Sequence, residues 1–229
     1  MIKKIVASFI LSMFSIVVFA TESCPPTGDN VEWTAQCFEM KNDARHVKTT
    51  FLSRLKVNKY GVTTIMITEP RELVAVDGAG KVIVPEIRHT GDFDYPNAEN
   101  GIGRFSDIVK NSAGESKEQC GFFRDTNFGI VVPAQFDYCG PFKGELATVC
   151  KGCKSYCTGP DCQDSVMVGG QALVLGMNGK VQDTYNLPSM EKLCRPQESL
   201  VTGDMGNGEV WIHCVRKINK LGTGLNKER

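Results

Sequence analysis

Apolar residues in this chain fall in short runs separated by Gly, Pro, Asn and Asp. Leu73-Val74-Ala75-Val76 leads into Asp77-Gly78-Ala79-Gly80, and Lys81-Val82-Ile83-Val84-Pro85 follows. Cys120-Gly121-Phe122-Phe123-Arg124 leads into Asp125-Thr126-Asn127 and then Ile130-Val131-Val132-Pro133. Leu146-Ala147-Thr148-Val149 comes after a bend at Gly140-Pro141-Phe142. Ala172-Leu173-Val174-Leu175 leads into Gly176-Met177-Asn178-Gly179 and Lys180-Val181. Short apolar runs bounded by turn residues are the pattern of antiparallel strands joined by hairpins. Residues 62–68 and 210–215 read as further strands. The expected fold class is mainly β.

The hairpin pattern recurs at a period of about fifty residues, the mark of stacked supersecondary units. It gives repeat-like units near 72–105, 120–150 and 165–185. Residues 120–150 are expected to form a three-stranded antiparallel unit with its turn at 126–129. Val131, Phe136, Phe142 and Leu146 should face a core, and Gly121 and Gly140 are candidates for positive φ. Two helical stretches complete the expectation. Met40, Ala44, Val47, Phe51 and Leu55 recur at helical spacing within residues 35–56 and predict a short amphipathic N-terminal helix. Asn186-Leu187-Pro188 predicts a helical turn running to Leu193.

The first twenty residues have a different character. Lys3 and Lys4 precede an apolar run over 5–19, interrupted only by Ser8, Ser12 and Ser15. Val18-Phe19-Ala20 and the polar Thr21-Glu22-Ser23 follow. A charged start, an apolar middle and a small-residue end define a secretory signal, and the run is short for a bilayer span. Thr21-Glu22-Ser23 lacks the pattern that precedes a lipidated cysteine. Cleavage after Ala20 would leave 21–229 as a single exported β-rich domain, periplasmic for a Gram-negative source or else secreted. The full chain is balanced at 26 basic and 26 acidic residues. Loss of Lys3 and Lys4 leaves a small negative excess. That balance argues against generic binding to nucleic acid or anionic lipid, which needs a basic excess.

Ten cysteines lie beyond this segment: Cys24, Cys37, Cys120, Cys139, Cys150, Cys153, Cys157, Cys162, Cys194 and Cys214. An even count in an exported chain implies a disulfide framework. Proximity favours Cys24 with Cys37 and Cys194 with Cys214; the rest of the connectivity stays open. Cys150, Cys153, Cys157 and Cys162 admit two other readings. Four closely spaced thiolates could enclose a tetrahedral zinc, and Cys150-Lys-Gly-Cys153 matches the bare pattern of a dithiol redox site. The residues after Cys153 form a poor helix ended by Gly159-Pro160, which weakens the redox reading.

Residues 120–150 resemble the WG repeat, also called the KWG repeat. Gly121-Phe122-Phe123, Val131-Val132-Pro133, Phe136-Asp137, Phe142 and Leu146-Ala147-Thr148-Val149 carry the likeness, and 73–85 looks like the first half of another copy. Cys120 stands where that pattern has tryptophan, and Glu145 where it has glycine. The resemblance implies β-hairpin repeats that serve as interaction scaffolds, and it carries over no catalytic residue.

Candidate catalytic groups are sparse. His46, His89 and His213 form no metal-binding pair at helical spacing. No nucleophile elbow or phosphate-binding loop occurs. Asp92 and Asp94 lack the further acids of a calcium loop. The expected function is therefore a non-catalytic exported binding scaffold, with another protein as partner and no cofactor. The alternatives are a redox protein using Cys150 and Cys153, or a metal-binding module on the four clustered cysteines.

Overall fold

A computed structural model describes residues 24–28, 31–89, 95, 98, 100–110, 113–206 and 209–217. The signal segment and the Asp92/Asp94 pair lie outside the described residues.

Residues 35–56 do not form the expected helix. Strand β1 (Glu32–Trp33) leads into a 3-10 turn (Ala35–Cys37), then β2 (Phe38–Lys41), β3 (Ala44–Val47) and a second 3-10 turn (Thr49–Arg54). The reason is local. Asn42 and Asp43 adopt positive φ (51° and 58°), the backbone of a two-residue hairpin that only Asn, Asp and Gly accept readily. Lys41 then pairs with Ala44, and Met40, a residue of the supposed apolar face, is 70% exposed.

The remaining chain builds three antiparallel meanders. The first is β4 (Val62–Ile67), β5 (Glu72–Asp77) and β6 (Val82–Val84); β1 joins its outer edge as a parallel strand. The second is β7 (Ile102–Lys110), β8 (Ser116–Arg124) and β9 (Ile130–Phe136). After β10 (Tyr138–Cys139), the third uses β11 (Leu146–Lys151) and then leaves for a hairpin of β12 (Lys154–Cys157) and β13 (Ser165–Val168). It returns as β14 (Gln171–Gly176) and β15 (Val181–Asn186), in sheet order β10-β11-β14-β15. A 3-10 turn (Met190–Lys192) and a hairpin of β16 (Glu198–Asp204) and β17 (Val210–Arg216) follow.

The hairpins β5–β6, β8–β9 and β14–β15 close alike. Asp77, Arg124 and Gly176 donate their N–H to the carbonyls of Lys81, Gly129 and Lys180 at 2.9–3.0 Å. A left-handed residue precedes each closing partner: Gly80 (φ 81°), Phe128 (φ 55°) and Gly179 (φ 76°). In each turn an Asx side chain caps a backbone N–H, Asp77 to Ala79, Asn127 to Gly129 and Asn178 to Lys180. This is the turn-plus-bulge geometry of longer hairpins.

The meanders stack face to face. On β5, Val74 and Val76 point into a cluster with Trp33, Phe38 and Phe51. Leu73 and Ala75 point the other way, toward Phe105, Phe123 and Phe128 of the second meander. On β8, Phe123 faces that second layer while Phe122 faces Val132, Phe142, Val149 and Leu175 toward the third. Runs such as Leu73-Val74-Ala75-Val76 are apolar throughout because both faces of these strands are buried. Each layer thus shares a core only with its neighbours.

Residues 120–150 differ from expectation in three ways. They do not form one three-stranded unit: β8 and β9 belong to the second sheet, β10 and β11 to the third. Phe136 and Phe142 are buried, but Leu146 is 48% exposed while Ala147 and Val149 take the inward positions. Neither Gly121 nor Gly140 is among the positive-φ residues. Gly121 is required by close approach instead, since a Cβ there would lie 2.7 Å from the Pro133 carbonyl carbon and 2.8 Å from the Ala134 nitrogen. Gly121→Ala should therefore lower the urea midpoint by an equivalent of about 1–3 kcal/mol, the cost of overpacking. An unchanged midpoint would mean that β8 and β9 sit farther apart.

Candidate binding site

A cleft of about 760 Å3 opens at the outer edge of β4. It exists because β1 is only two residues long. Glu32 pairs with Met66 and Trp33 with Ile67, and among the described residues no strand pairs with β4 before Met66 on this side. At the other end of β4, Asn58 engages Val62: its backbone N–H donates to the Val62 carbonyl at 2.8 Å, and its side-chain oxygen accepts the Val62 N–H at 3.3 Å. Successive residues of a strand turn their backbone polar groups to alternate sides. Thr64 therefore directs its N–H and C=O to the same open side as Val62, between these two covered points.

Val31, Met66, Leu73 and Tyr95 contribute apolar surface to its lining, beside the hydroxyls of Thr27, Thr63 and Thr64. Lys56 and Arg71 stand on its lining with one carboxylate, Glu32. A strand edge with hydroxyls, some apolar lining and a cationic balance has the chemistry to hold an extended peptide carrying negative charge. Residues 62–68 read as a strand from their pattern, yet nothing in that pattern marks Thr64 as an edge, because that depends on where β1 begins.

The cysteines are distributed over five disulfides, Cys24–Cys37, Cys120–Cys139, Cys150–Cys153, Cys157–Cys162 and Cys194–Cys214. The four clustered cysteines thus split into two bonds. One closes the turn from β11 to β12, the other the loop from β12 to β13. Among the described residues no group of three or more His, Cys, Asp or Glu is placed to hold a metal ion. Cys150 is 1% exposed on β11, and no helix begins at this pair, so the helix dipole that activates a redox thiol is missing there. The histidines are separate. His89 Nδ1 donates to the Ile87 carbonyl (3.0 Å) and His213 Nδ1 to the Thr158 carbonyl (3.1 Å); His46 lies on β3, opposite Glu39.

A carboxylate cluster joins the first and second sheets. Arg45 grips Glu72 through two hydrogen bonds of 2.6 and 2.7 Å, and Glu72 accepts the Glu86 N–H at 3.1 Å. Burial, then the charges of Glu118 and Glu72, push the Glu86 carboxyl above its ordinary range. Burial likewise raises Asp107.

Phe136 and Asp137 divide two tasks. Phe136 is a core residue, whereas Asp137 accepts hydrogen bonds from Lys117 Nζ (2.6 Å) and the Gly152 N–H (2.5 Å). It thereby pins the turn after β11 to the second sheet. Burial pushes the Asp137 carboxyl up, but the bonds from Lys117 and Gly152 outweigh it and hold the group below the ordinary carboxylate range. A carboxyl lowered by folding stabilises the protein above its unfolded pKa, and that contribution disappears as pH falls through the folded value. Wild type should therefore exceed Asp137→Asn in stability by a constant margin down to about pH 4, and the margin should shrink below that. Urea midpoints of both proteins across the acid range test this; a margin that persists into strong acid would contradict it.

The family model of the WG containing repeat matches residues 123–154. The chain thus carries a WG-type repeat running from the end of β8 to the start of β12, and it includes both Asp137 and the Gly152 N–H that it binds. No curated protein and no solved structure matches the chain.

Proposed function

We propose that the protein is an exported, non-catalytic binding scaffold of WG-repeat type, and that its partner is another protein. The cleft at the open edge of β4 carries this reading. It combines the β4 edge at Thr64, the apolar side chains Val31, Met66 and Leu73 and the cations Lys56 and Arg71, features by which strand edges take up extended peptides. The WG-type repeat supports it, since stacked β units offer broad binding surfaces on a rigid frame. Five disulfides fit an oxidising compartment. The described residues hold no helix long and apolar enough to cross a membrane.

Two experiments test the reading. The exported protein should begin at Thr21; Met1 or a lipidated Cys24 at the N-terminus would contradict the processing. Affinity capture from the exported fraction of the producing cell should retain a protein on wild type and lose it on Thr64→Arg. Identical captures on both proteins would exclude the β4 cleft as the site.

A further inference from the structure

Strands β11 and β14 pair directly, Lys151 against Gln171, yet the chain between them does not simply turn. Residues 152–170 leave the third sheet as an arm, the β12–β13 hairpin, with Lys154 paired to Val168 and Cys157 to Ser165. The arm contributes no side chain to the three clusters that hold the meanders together. Val168 alone of its residues is buried. A two-stranded hairpin with so little apolar burial is marginal in water by itself.

The neck of the arm separates it from the sheet. Gly152, Gly169 and Gly170 take positive φ (70°, 75° and 67°), and a Cβ on Gly170 would lie 2.5 Å from the Gly152 carbonyl carbon. The two legs thus meet backbone to backbone. Three hydrogen bonds pin them on the sheet side. Asp137 accepts the Gly152 N–H, the Pro188 carbonyl accepts the Gly169 N–H at 2.8 Å, and the Gly170 carbonyl accepts the Leu187 N–H at 3.1 Å. Opening of the arm beyond the neck leaves these bonds and the β11–β14 ladder in place. Beyond the neck, His213 Nδ1 on β17 donates to the Thr158 carbonyl at 3.1 Å. A cleft of about 340 Å3 lies there, lined by Tyr156, Gln163 and Asp164 of the arm and by Met205, Glu209 and Val210.

The disulfide Cys150–Cys153 spans the neck. Cys150 is buried on β11, whereas Cys153 is half-buried where the first leg leaves. Closed, the bond restricts the conformations open to an unfolded arm. Cys24, Cys37, Cys120 and Cys139 are all buried, so a thiol reaches Cys153 more readily than either of those pairs.

We propose that Cys150–Cys153 is a redox latch on the arm: closed, it keeps residues 152–170 folded and the cleft beside β17 formed; reduced, it lets the arm unfold while the three meanders stay intact. The reductant is a dithiol. One of its thiolates attacks Cys153 Sγ, the S–S bond breaks, and Cys150 leaves as a thiolate that takes up a proton. The second thiol then closes the reductant's own disulfide and releases Cys153 as a thiol. Two electrons and two protons pass to the protein.

Amide hydrogen exchange on the mature, oxidised protein tests the proposal. In Cys150→Ala/Cys153→Ala, the amides of β12 and β13 should exchange at least about tenfold faster than in wild type, while those of β8 and β14 keep their protection. Cys157→Ala/Cys162→Ala, which leaves the neck closed, should change β12 and β13 less. Wild type titrated with limiting dithiothreitol serves if the first variant misfolds. Protection of the arm should fall in the step in which Cys150 and Cys153 become open to alkylation, before Cys24, Cys37, Cys120 or Cys139 do. An arm that keeps its protection with Cys150–Cys153 open would overturn the proposal, as would β8 and β14 losing theirs together with it.

Discussion

Reduced with excess dithiothreitol, the protein should lose its fold at 37 °C. Three disulfides close loops of 13, 19 and 20 residues, and two close loops of 3 and 5. The chain-entropy relation assigns about 3 kcal/mol to each longer loop and about 2 kcal/mol to each short one. Together these rival the total stability of an ordinary domain, about 5–15 kcal/mol. Position orders the individual effects. Cys120–Cys139 joins β8 to β10 and both sulfurs lie in the core between the second and third sheets. Cys24–Cys37 ties the N-terminal segment into the cluster around Trp33. Paired replacement of either couple by alanine should cost more than replacing Cys157 and Cys162, which close a short loop outside these cores. Melting temperatures of the reduced protein and of the three paired variants test this. A reduced protein that melts with the oxidised one, or a Cys157/Cys162 variant weaker than the Cys120/Cys139 variant, would refute the account.

Much of the architecture is legible as punctuation. Asp77-Gly78-Ala79-Gly80 and Gly176-Met177-Asn178-Gly179 are hairpin turns because each supplies an Asx acceptor and a glycine free to take positive φ. Helical spacing misled over 35–56, where Asn42-Asp43 was the stronger signal: a two-residue turn outranks five apolar residues that happen to recur at helical intervals. The cleft at the edge of β4 was not legible at all. Thr64, Lys56 and Arg71 come together beside the place where β1 begins, a parallel contact made across more than thirty residues. Local pattern carries turn chemistry and strand period well, but not which edge of a strand remains open.

The face of each strand near the WG-type repeat follows from parity, and it yields the second large effect. Phe136 faces inward, so Val132, an even number of residues away, does too, and it is 4% exposed while Val131 sits half-buried at the margin. Leu146 shares parity with Thr148, and both lie outward, leaving Ala147 and Val149 to the core. Phe122 occupies the centre of that core. It is fully buried, and its ring meets Phe142 edge to face at 5.1 Å and 69°. Phe122→Ala should cost about 3–5 kcal/mol, and Phe142→Ala a similar amount, as aromatic truncations in packed cores do. The double variant should lose less than the sum, with a coupling of about 0.5–1.5 kcal/mol from the ring pair. Leu146→Ala, on the opposite face of β11, should stay within about 0.5 kcal/mol of wild type. Urea unfolding of the four proteins under oxidising conditions tests the pattern. A costly Leu146→Ala beside a mild Phe122→Ala would mean that β11 presents its other face and that the second and third sheets do not pack through Phe122.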